Sequence, residues 1–271
     1  KLRLAAPFRI SGHVFEETEV VVATLSDGTH TGRGEGGGVY YLNDDADNMI
    51  ADIEAARGGI EAGIDRAALQ DLMPAGGGRN AVDCALWDLE AKQKGVPAWQ
   101  LAGIDAPRPV VTTFTLGADS PEKMAAGAKA YAAARAIKVK LTGELNLDIE
   151  RVRAIRLARP DVWLGVDANQ GFTLAELGEL AAALDACRVS LLEQPLARGR
   201  EADLEGLKRP MVGNMVGTSL AMAPAFVLAQ LCDFVDLDGP TFLAQDREPS
   251  VTYSDGTIWA GDDIWGGPDA P

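Results

Sequence analysis

Four short apolar segments begin at Val111, Ala136, Val162 and Val189, at successive intervals of 25, 26 and 27 residues. Alanine-rich stretches of helical pattern fill the intervals, at 121–135, 147–158 and 173–185. Parallel neighbours require a crossover long enough for a helix, so this spacing restricts the segment to the βα repeat of a barrel or a doubly wound sheet. Two further strand candidates, MVGNM after Pro210 and FVDLDG after Asp233, flank a helical stretch near 219–231. The count stops at six. Closing an eight-stranded barrel at this spacing takes two more units, about 50 residues. The gap is expected between Glu193 and Met211.

The two ends have a different texture. Glu19 to Leu25 is a β-branched strand closed by the Ser26-Asp27-Gly28 turn, which predicts an antiparallel hairpin. NAVDCALWDLEAKQK over 80–94 puts Val82, Leu86 and Leu89 on one helical stripe, with Gly95 and Pro97 as its stop. After Ala244 the chain returns to short, turn-rich strand patterns. The expected architecture is α/β: a TIM-like (β/α) barrel over 109–243, interrupted at 210/211, capped by an α+β domain made of 1–108 and the returning tail 244–271.

Composition removes several functions. The net charge of −15 repels phosphate backbones and anionic headgroups, and no run of about eighteen apolar residues occurs, so neither nucleic acid nor membrane is an expected partner. Three scattered cysteines suit a reducing compartment, and the cytoplasm is the expected location. The two histidines, His13 and His30, both lie in the first thirty residues, which leaves a Ser-His-Asp triad or a His-rich zinc site without support. Catalysis then falls to Asp, Glu, Lys or backbone groups, acting on a small molecule. A homo-oligomer stays open, closed symmetric assemblies being common among soluble enzymes.

Polar residues stand at the C-terminal ends of successive strands, where barrel active sites are built. Lys138 and Lys140 in AIKVKLTG point to one side of their strand, and two adjacent ammonium groups would bring one towards the neutral form that a general base needs. Two solvated lysines at a strand edge are the plainer alternative. Asp167 in VDANQG and Glu193 in LLEQP follow apolar strands and must be paired, neutralised or bound to a cation. Hard oxygens of this kind suit Mg²⁺, and ion pairs with the same lysines are the competing reading. Asp236 and Asp238 share a face and could receive a substrate ammonium; taken alone, an ordinary strand-ending turn at Asp238-Gly239-Pro240 is the favoured reading.

GRGEGG at 32–37 fits the GxGxxG pattern, but strand-like residues follow it, so dinucleotide binding is rejected and a mobile loop over the barrel mouth is expected. In GNMVGTSL, Ser219 is available as a helix N-cap, and backbone N–H groups there could hold a substrate carboxylate. Specificity is expected in the cap loops Ser11 to Glu17 and Gly36 to Tyr41, with Asn214 and Met215.

Taken in order, the GRGE segment, RNAVDCALWDLEAK, KVKLTG, GVDANQGF, EQP, MVGTSLAMAP and VDLDGP resemble the enolase superfamily, in its muconate-cycloisomerase-like branch, and within that branch the dipeptide epimerases of the L-Ala-D/L-Glu type. The resemblance implies a modified (β/α)₇β barrel with one Mg²⁺ and proton abstraction next to a carboxylate through an ene-diolate, the logic known for this superfamily. It implies Lys140 as acid/base, Lys138 as the residue that tunes it, Asp167 and Glu193 as metal ligands, and Asp236 with Asp238 as the site for a dipeptide's α-ammonium. Cycloisomerases, o-succinylbenzoate synthases and a non-catalytic ligand-binding relative are the alternatives. One departure stands out. A third acidic ligand after the fifth strand and a lysine after the sixth have no place between Arg200 and Met211, where Asp203 and Lys208 sit in the helical stretch DLEGLK. A barrel so opened would expose apolar faces and strand edges, so a segment that this sequence lacks is expected there.

Overall fold

The computed structural model describes residues 1–10, 13–39, 42–200, 211–213 and 215–268. Strands β1 (Leu2–Ile10) and β2 (His13–Thr18) pair antiparallel, as do β3 (Val20–Ser26) and β4 (Thr31–Gly37). Helices α1 (Ala46–Glu61), α2 (Arg66–Leu72), α3 (Gly77–Lys94) and α4 (Ala98–Leu101) complete this opening region. The segment expected as a loop from Ser11 to Glu17 is thus mostly strand: Glu17 pairs with Arg3 and Phe15 with Phe8. Alternation of apolar and polar residues is weak there, which is why the strand is not evident in the sequence.

The glycines of β4 do not make a mobile loop. Gly32, Gly34 and Gly36 lie flush on α3, where an added Cβ would sit 2.2, 2.2 and 2.1 Å from the carbonyl oxygens of Ala85, Ala81 and Gly77. Two residues of strand advance about 6.6 Å and four residues of helix about 6.0 Å, so strand and helix stay in step through all three contacts. The helix begins three residues before the expected start because this contact surface includes Gly77. It ends as expected, with Gly95 left-handed at φ 65° and its N–H bonded to Ala91 and Lys92 carbonyls.

The βα repeat follows. Strands β5 (Val110–Val111), β6 (Thr113–Leu116), β7 (Ala136–Lys140), β8 (Trp163–Asp167), β9 (Leu191–Glu193), β10 (Met211–Gly213) and β11 (Phe234–Asp236) are accompanied by helices α5 (Pro121–Ala130), α6 (Leu145–Ala158), α7 (Leu174–Ala186) and α8 (Ser219–Ala229). Strands β6-β7-β8-β9 form one parallel sheet and β10-β11 a second. Side chains join the two: Thr112 Oγ1 accepts from Leu237 N at 2.9 Å, and Thr113 donates to Asp236. Among the described residues β9 and β10 each have one strand partner, leaving the curved sheet open between them.

Outward residues Ile137, Val139, Leu164 and Val166 are fully buried beneath α5, α6 and α7, which is where most of the apolar surface is removed from water. Inward, Trp163 and Phe234 lie with ring centroids 5.4 Å apart and form a floor beneath the polar layer. The tail forms β12 (Thr252–Ser254) and β13 (Thr257–Trp259), which join β5 in a three-stranded sheet. Beyond it Trp265 Nε1 donates to Cys84 O at 3.0 Å and Gly266 N to Asp88 Oδ1 at 2.8 Å, so the tail reaches back to α3. No helix among the described residues is long and apolar enough to cross a membrane.

Candidate functional site

All six residues singled out from the sequence reach the inside of the strand ends. Lys140, Asp167 and Glu193 are brought together by register alone: Lys140 pairs with Asp167 across β7 and β8, and Asp167 with Glu193 across β8 and β9. The turns after β8 and β9 lock that alignment. Asn169, Gln170 and Gln194 are left-handed, at φ 46°, 66° and 41°, while Ala168 N donates to Glu193 O at 3.0 Å and Gln170 N to Gln194 O at 2.7 Å. Left-handed glutamines are costly and cluster where the surrounding structure holds them for function. After β7, the fully buried Asp148 accepts from the backbone N–H of Thr142 and Gly143 and from Arg151, fixing the exit beyond Lys140.

The lysines are paired, not free. Lys140 Nζ donates to Asp167 Oδ2 at 2.5 Å. Lys138 donates to Asp236 and, at 3.3 Å, to Glu193 Oε2. The expected mutual depression of the two ammonium groups is therefore corrected for Lys138. Burial pulls its pKa down, but the Asp236, Glu193 and Asp167 carboxylates more than reverse this and hold it well above the ordinary lysine value. Salt bridging with the same lysines, the plainer alternative for the carboxylates, is realised.

Four carboxyl groups nevertheless face two ammonium groups, an excess of acid in a buried place. Glu193 is pushed up by burial, with Asp167 and Asp236 adding to it against the pull of the lysines. Asp238 is pushed up to about 7, first by burial and then by the neighbouring Asp236. Its Oδ2 accepts from Thr115 N at 2.5 Å. Asp236, by contrast, already holds Lys138 and Thr113, so an incoming ammonium would have to share it.

The donor set fits a hard divalent cation in chemistry. Asp167 and Glu193 are adjacent oxygen donors, and Asn169 Oδ1, two residues from Asp167, is a buried acceptor with no hydrogen-bond partner. A third carboxylate does not join them: among the described residues no cluster of three or more His, Cys, Asp or Glu is arranged to hold a metal.

Other expectations change. Thr218, not Ser219, caps α8, its Oγ1 accepting from Leu220 N at 3.3 Å. The Ser219 hydroxyl donates instead to Asp246 Oδ2 at 2.5 Å and accepts from Val251 N at 2.9 Å. Of the expected specificity loops, Gly36 and Gly37 belong to β4, whereas Ser11, Gly12, Tyr40, Tyr41 and Asn214 lie outside the described residues, as do Asp203, Lys208 and the 210/211 junction. Glu35, buried on the face of β4 away from α3, is a charged residue that the sequence does not single out; the Gly-x-Gly-x-Gly alternation, which leaves the intervening side chains on that face, is the signal for it.

A curved parallel sheet with acids and lysines at its strand ends, under an antiparallel α+β region, is the arrangement of a barrel enzyme that does acid/base chemistry. The family model for the mandelate racemase/muconate lactonizing enzyme N-terminal domain matches residues 1–103, and that for the enolase C-terminal domain-like fold matches 123–241. The chain is 31% identical over 309 residues to L-Ala-D/L-Glu epimerase of Escherichia coli K12, covering 94% of this chain and 96% of the relative. It also matches the crystal structure of an enolase family member from Agrobacterium tumefaciens with homology to dipeptide epimerases, bound to sodium and L-Ala-L-Glu. That match has a TM-score of 0.90 and 32% identity over 98% of this chain and 97% of the other. The fold is likewise that of a dipeptide epimerase from Cytophaga hutchinsonii complexed with Mg and D-Ala-L-Val, at a TM-score of 0.87 and 21% identity over 95% of this chain and 90% of the other. The chain belongs to the mandelate racemase/muconate lactonizing enzyme family of the enolase superfamily.

Proposed function

We propose that this chain is a Mg²⁺-dependent dipeptide epimerase, an isomerase that inverts the α-carbon next to the dipeptide's carboxylate. The observation that carries the reading is the placement of Lys140 against Asp167, with Glu193 on the next strand, Asp236 on the other sheet and Asp238 just beyond it. One end of that space suits a metal-held carboxylate and the other an ammonium group. A bound Mg²⁺ supplies a Lewis acid for the substrate carboxylate, with Asp167 and Glu193 as the residues that would hold it.

Lys140 Nζ takes the α-proton. Its Nζ donates to Asp167 Oδ2 at 2.5 Å, and a cation held by Asp167 would compete for that carboxylate and release Lys140 towards the substrate. Lys138, kept charged by Asp236 and Glu193, maintains positive potential beside it. Asp238 takes the dipeptide's α-ammonium, which relieves the cost of an unpaired carboxylate in a buried place.

Returning a proton to the opposite face needs a second group across the substrate, and among the described residues both lysines at the strand ends lie on β7. The reading therefore includes two further βα units between Glu193 and Met211. Three observations support it. Strand spacing leaves the count at six. β9 and β10 each have one partner among the described residues. The alignment to the Escherichia coli relative spans 309 positions but takes in 94% of a 271-residue chain, about 255 residues, so some fifty positions have no counterpart here.

The test is deuterium incorporation from solvent at the α-carbon of L-Ala-L-Glu, followed by NMR with and without Mg²⁺. Exchange that requires Mg²⁺ supports the assignment; absence of exchange across a dipeptide panel overturns it.

A further inference from the structure

We propose that Glu35, a residue of the cap, is a positioning residue for the amino-end subsite, acting through Thr218 on the Met215–Gly217 loop. The proposal rests on the assignment of Asp238 to the substrate ammonium.

Glu35 projects from the face of β4 opposite α3 and is 1% exposed. Its Oε1 accepts from Thr218 N at 2.7 Å and its Oε2 from Thr218 Oγ1 at 2.6 Å, with Arg247 Nη1 at 3.5 Å from Oε2. The next residue, Ser219, is gripped by a second carboxylate, Asp246, through its N–H at 3.0 Å and its hydroxyl. Two acids some two hundred positions apart in the chain thus fasten two consecutive residues at the start of α8. Charge-assisted hydrogen bonds of this kind are strong and directional, and a buried carboxylate is costly if they are lost.

The loop just before that anchor is where the fastening matters. A Cβ at Gly217 would stand 3.2 Å from Glu35 Oε1, so the loop backbone rests on the carboxylate itself. On its other side it rests on Gly239, where a Cβ would meet Met215 O at 3.0 Å and Gly217 N at 3.3 Å. Gly239 directly follows Asp238. The chain of contact therefore runs from the Glu35 carboxylate through Thr218 and Gly217 to the backbone beside Asp238, with the Met222 side chain packed against the same Gly239 Cβ position at 2.9 Å. Displacing the anchor displaces one wall of the subsite.

The experiment compares T218V, T218S and E35Q with the wild type, in two arms. Hydrogen–deuterium exchange of the unliganded protein reads the peptides over 215–222 and 237–243. Steady-state kinetics on L-Ala-L-Glu reads KM and kcat. T218V should raise exchange in both peptides and raise KM about tenfold, the equivalent of one buried hydrogen bond, with kcat changed by less than about twofold. T218S should restore both, because it keeps the hydroxyl, and E35Q should fall between them. Unchanged exchange in T218V, or raised exchange with unchanged KM, overturns the proposal. If the wild type acts on no dipeptide while T218V still loosens both peptides and T218S restores them, the coupling stands and the dipeptide assignment fails.

Discussion

Lys140 and Asp167 occupy directly opposed positions on β7 and β8, and the ammonium donates to the carboxylate at 2.5 Å. Strand register sets the two groups side by side, within reach of one substrate. Lys140→Met should therefore lower α-proton exchange on a dipeptide by about 10²- to 10⁴-fold, the usual contribution of a general base. The same change leaves the buried Asp167 without its ammonium partner, so an unchanged circular dichroism spectrum with a lowered Tm is expected. Exchange at the wild-type rate would remove Lys140 from the mechanism.

Metal removal has a stability readout as well as a kinetic one. Adding Mg²⁺ at about a hundredfold over its Kd should stabilise the native state by about 2.7 kcal/mol, read as a rise in Tm. Asp167→Asn and Glu193→Gln should each abolish most of that rise, whatever they do to turnover. A Tm that is insensitive to Mg²⁺ in the wild type would remove the metal assignment.

Asp238 gives a pH signature with a definite sign. Its carboxyl is pushed up to about 7 from an ordinary 3.8, so the folded state holds a proton that the unfolded state has released over that interval. The associated stability is fully present below about pH 4 and is lost as pH rises through about 7. Asp238→Asn should flatten this part of the profile of Tm against pH and lie above the wild type at pH 8, while weakening dipeptide binding. Parallel profiles for the two proteins would contradict the assignment of that titration to Asp238.

The glycine seam of β4 predicts a contrast between neighbouring positions. Gly34→Ala puts a methyl 2.2 Å from the Ala81 carbonyl oxygen, backbone against backbone. It should destabilise by about 3 kcal/mol, the upper range for overpacking. Gly28, with open space around its Cβ and φ of +91°, should lose only about 1 kcal/mol as alanine, from backbone strain alone. Urea denaturation midpoints would separate the two.

The open side of the sheet can be tested by construction. Replacing residues 201–210 with two βα units, one ending in an aspartate and the next in a lysine, should raise Tm, because β9 and β10, each with one strand partner among the described residues, would be bridged. It should also raise the ratio of inversion to exchange at the α-carbon. A graft that folds and leaves this ratio unchanged would show that the second proton donor lies elsewhere.

Much of the barrel was legible because its strands are short apolar runs at nearly constant intervals, and Lys138, Lys140, Asp167 and Glu193 could be found as polar residues at the ends of those runs. What each lysine pairs with was not legible: Lys138 meets Asp236, 98 positions away, only because β11 closes against β6. The strand β4 is hidden in the sequence because glycine normally signals a turn, and its use here depends on the matching Gly77, Ala81 and Ala85 of α3. Those residues do appear in the sequence at intervals of four, and the pairing of a two-residue glycine period with a four-residue small-residue period is the signal that would have identified the seam. Thr218 and Ser219 are indistinguishable as caps in the sequence, since either hydroxyl suits an N-cap and the choice is made by carboxylates from elsewhere in the chain.

The seam between β4 and α3 contains no rotatable groups on the strand side. Where peptide meets peptide there is no rotamer to readjust, so strand and helix form a single stiff plate, with Glu35 standing out from its far side. Any tilt of that plate relative to the barrel would reach the Thr218 anchor through the Glu35 side chain alone, and a substitution on α3 could retune ligand preference without ever approaching the ligand.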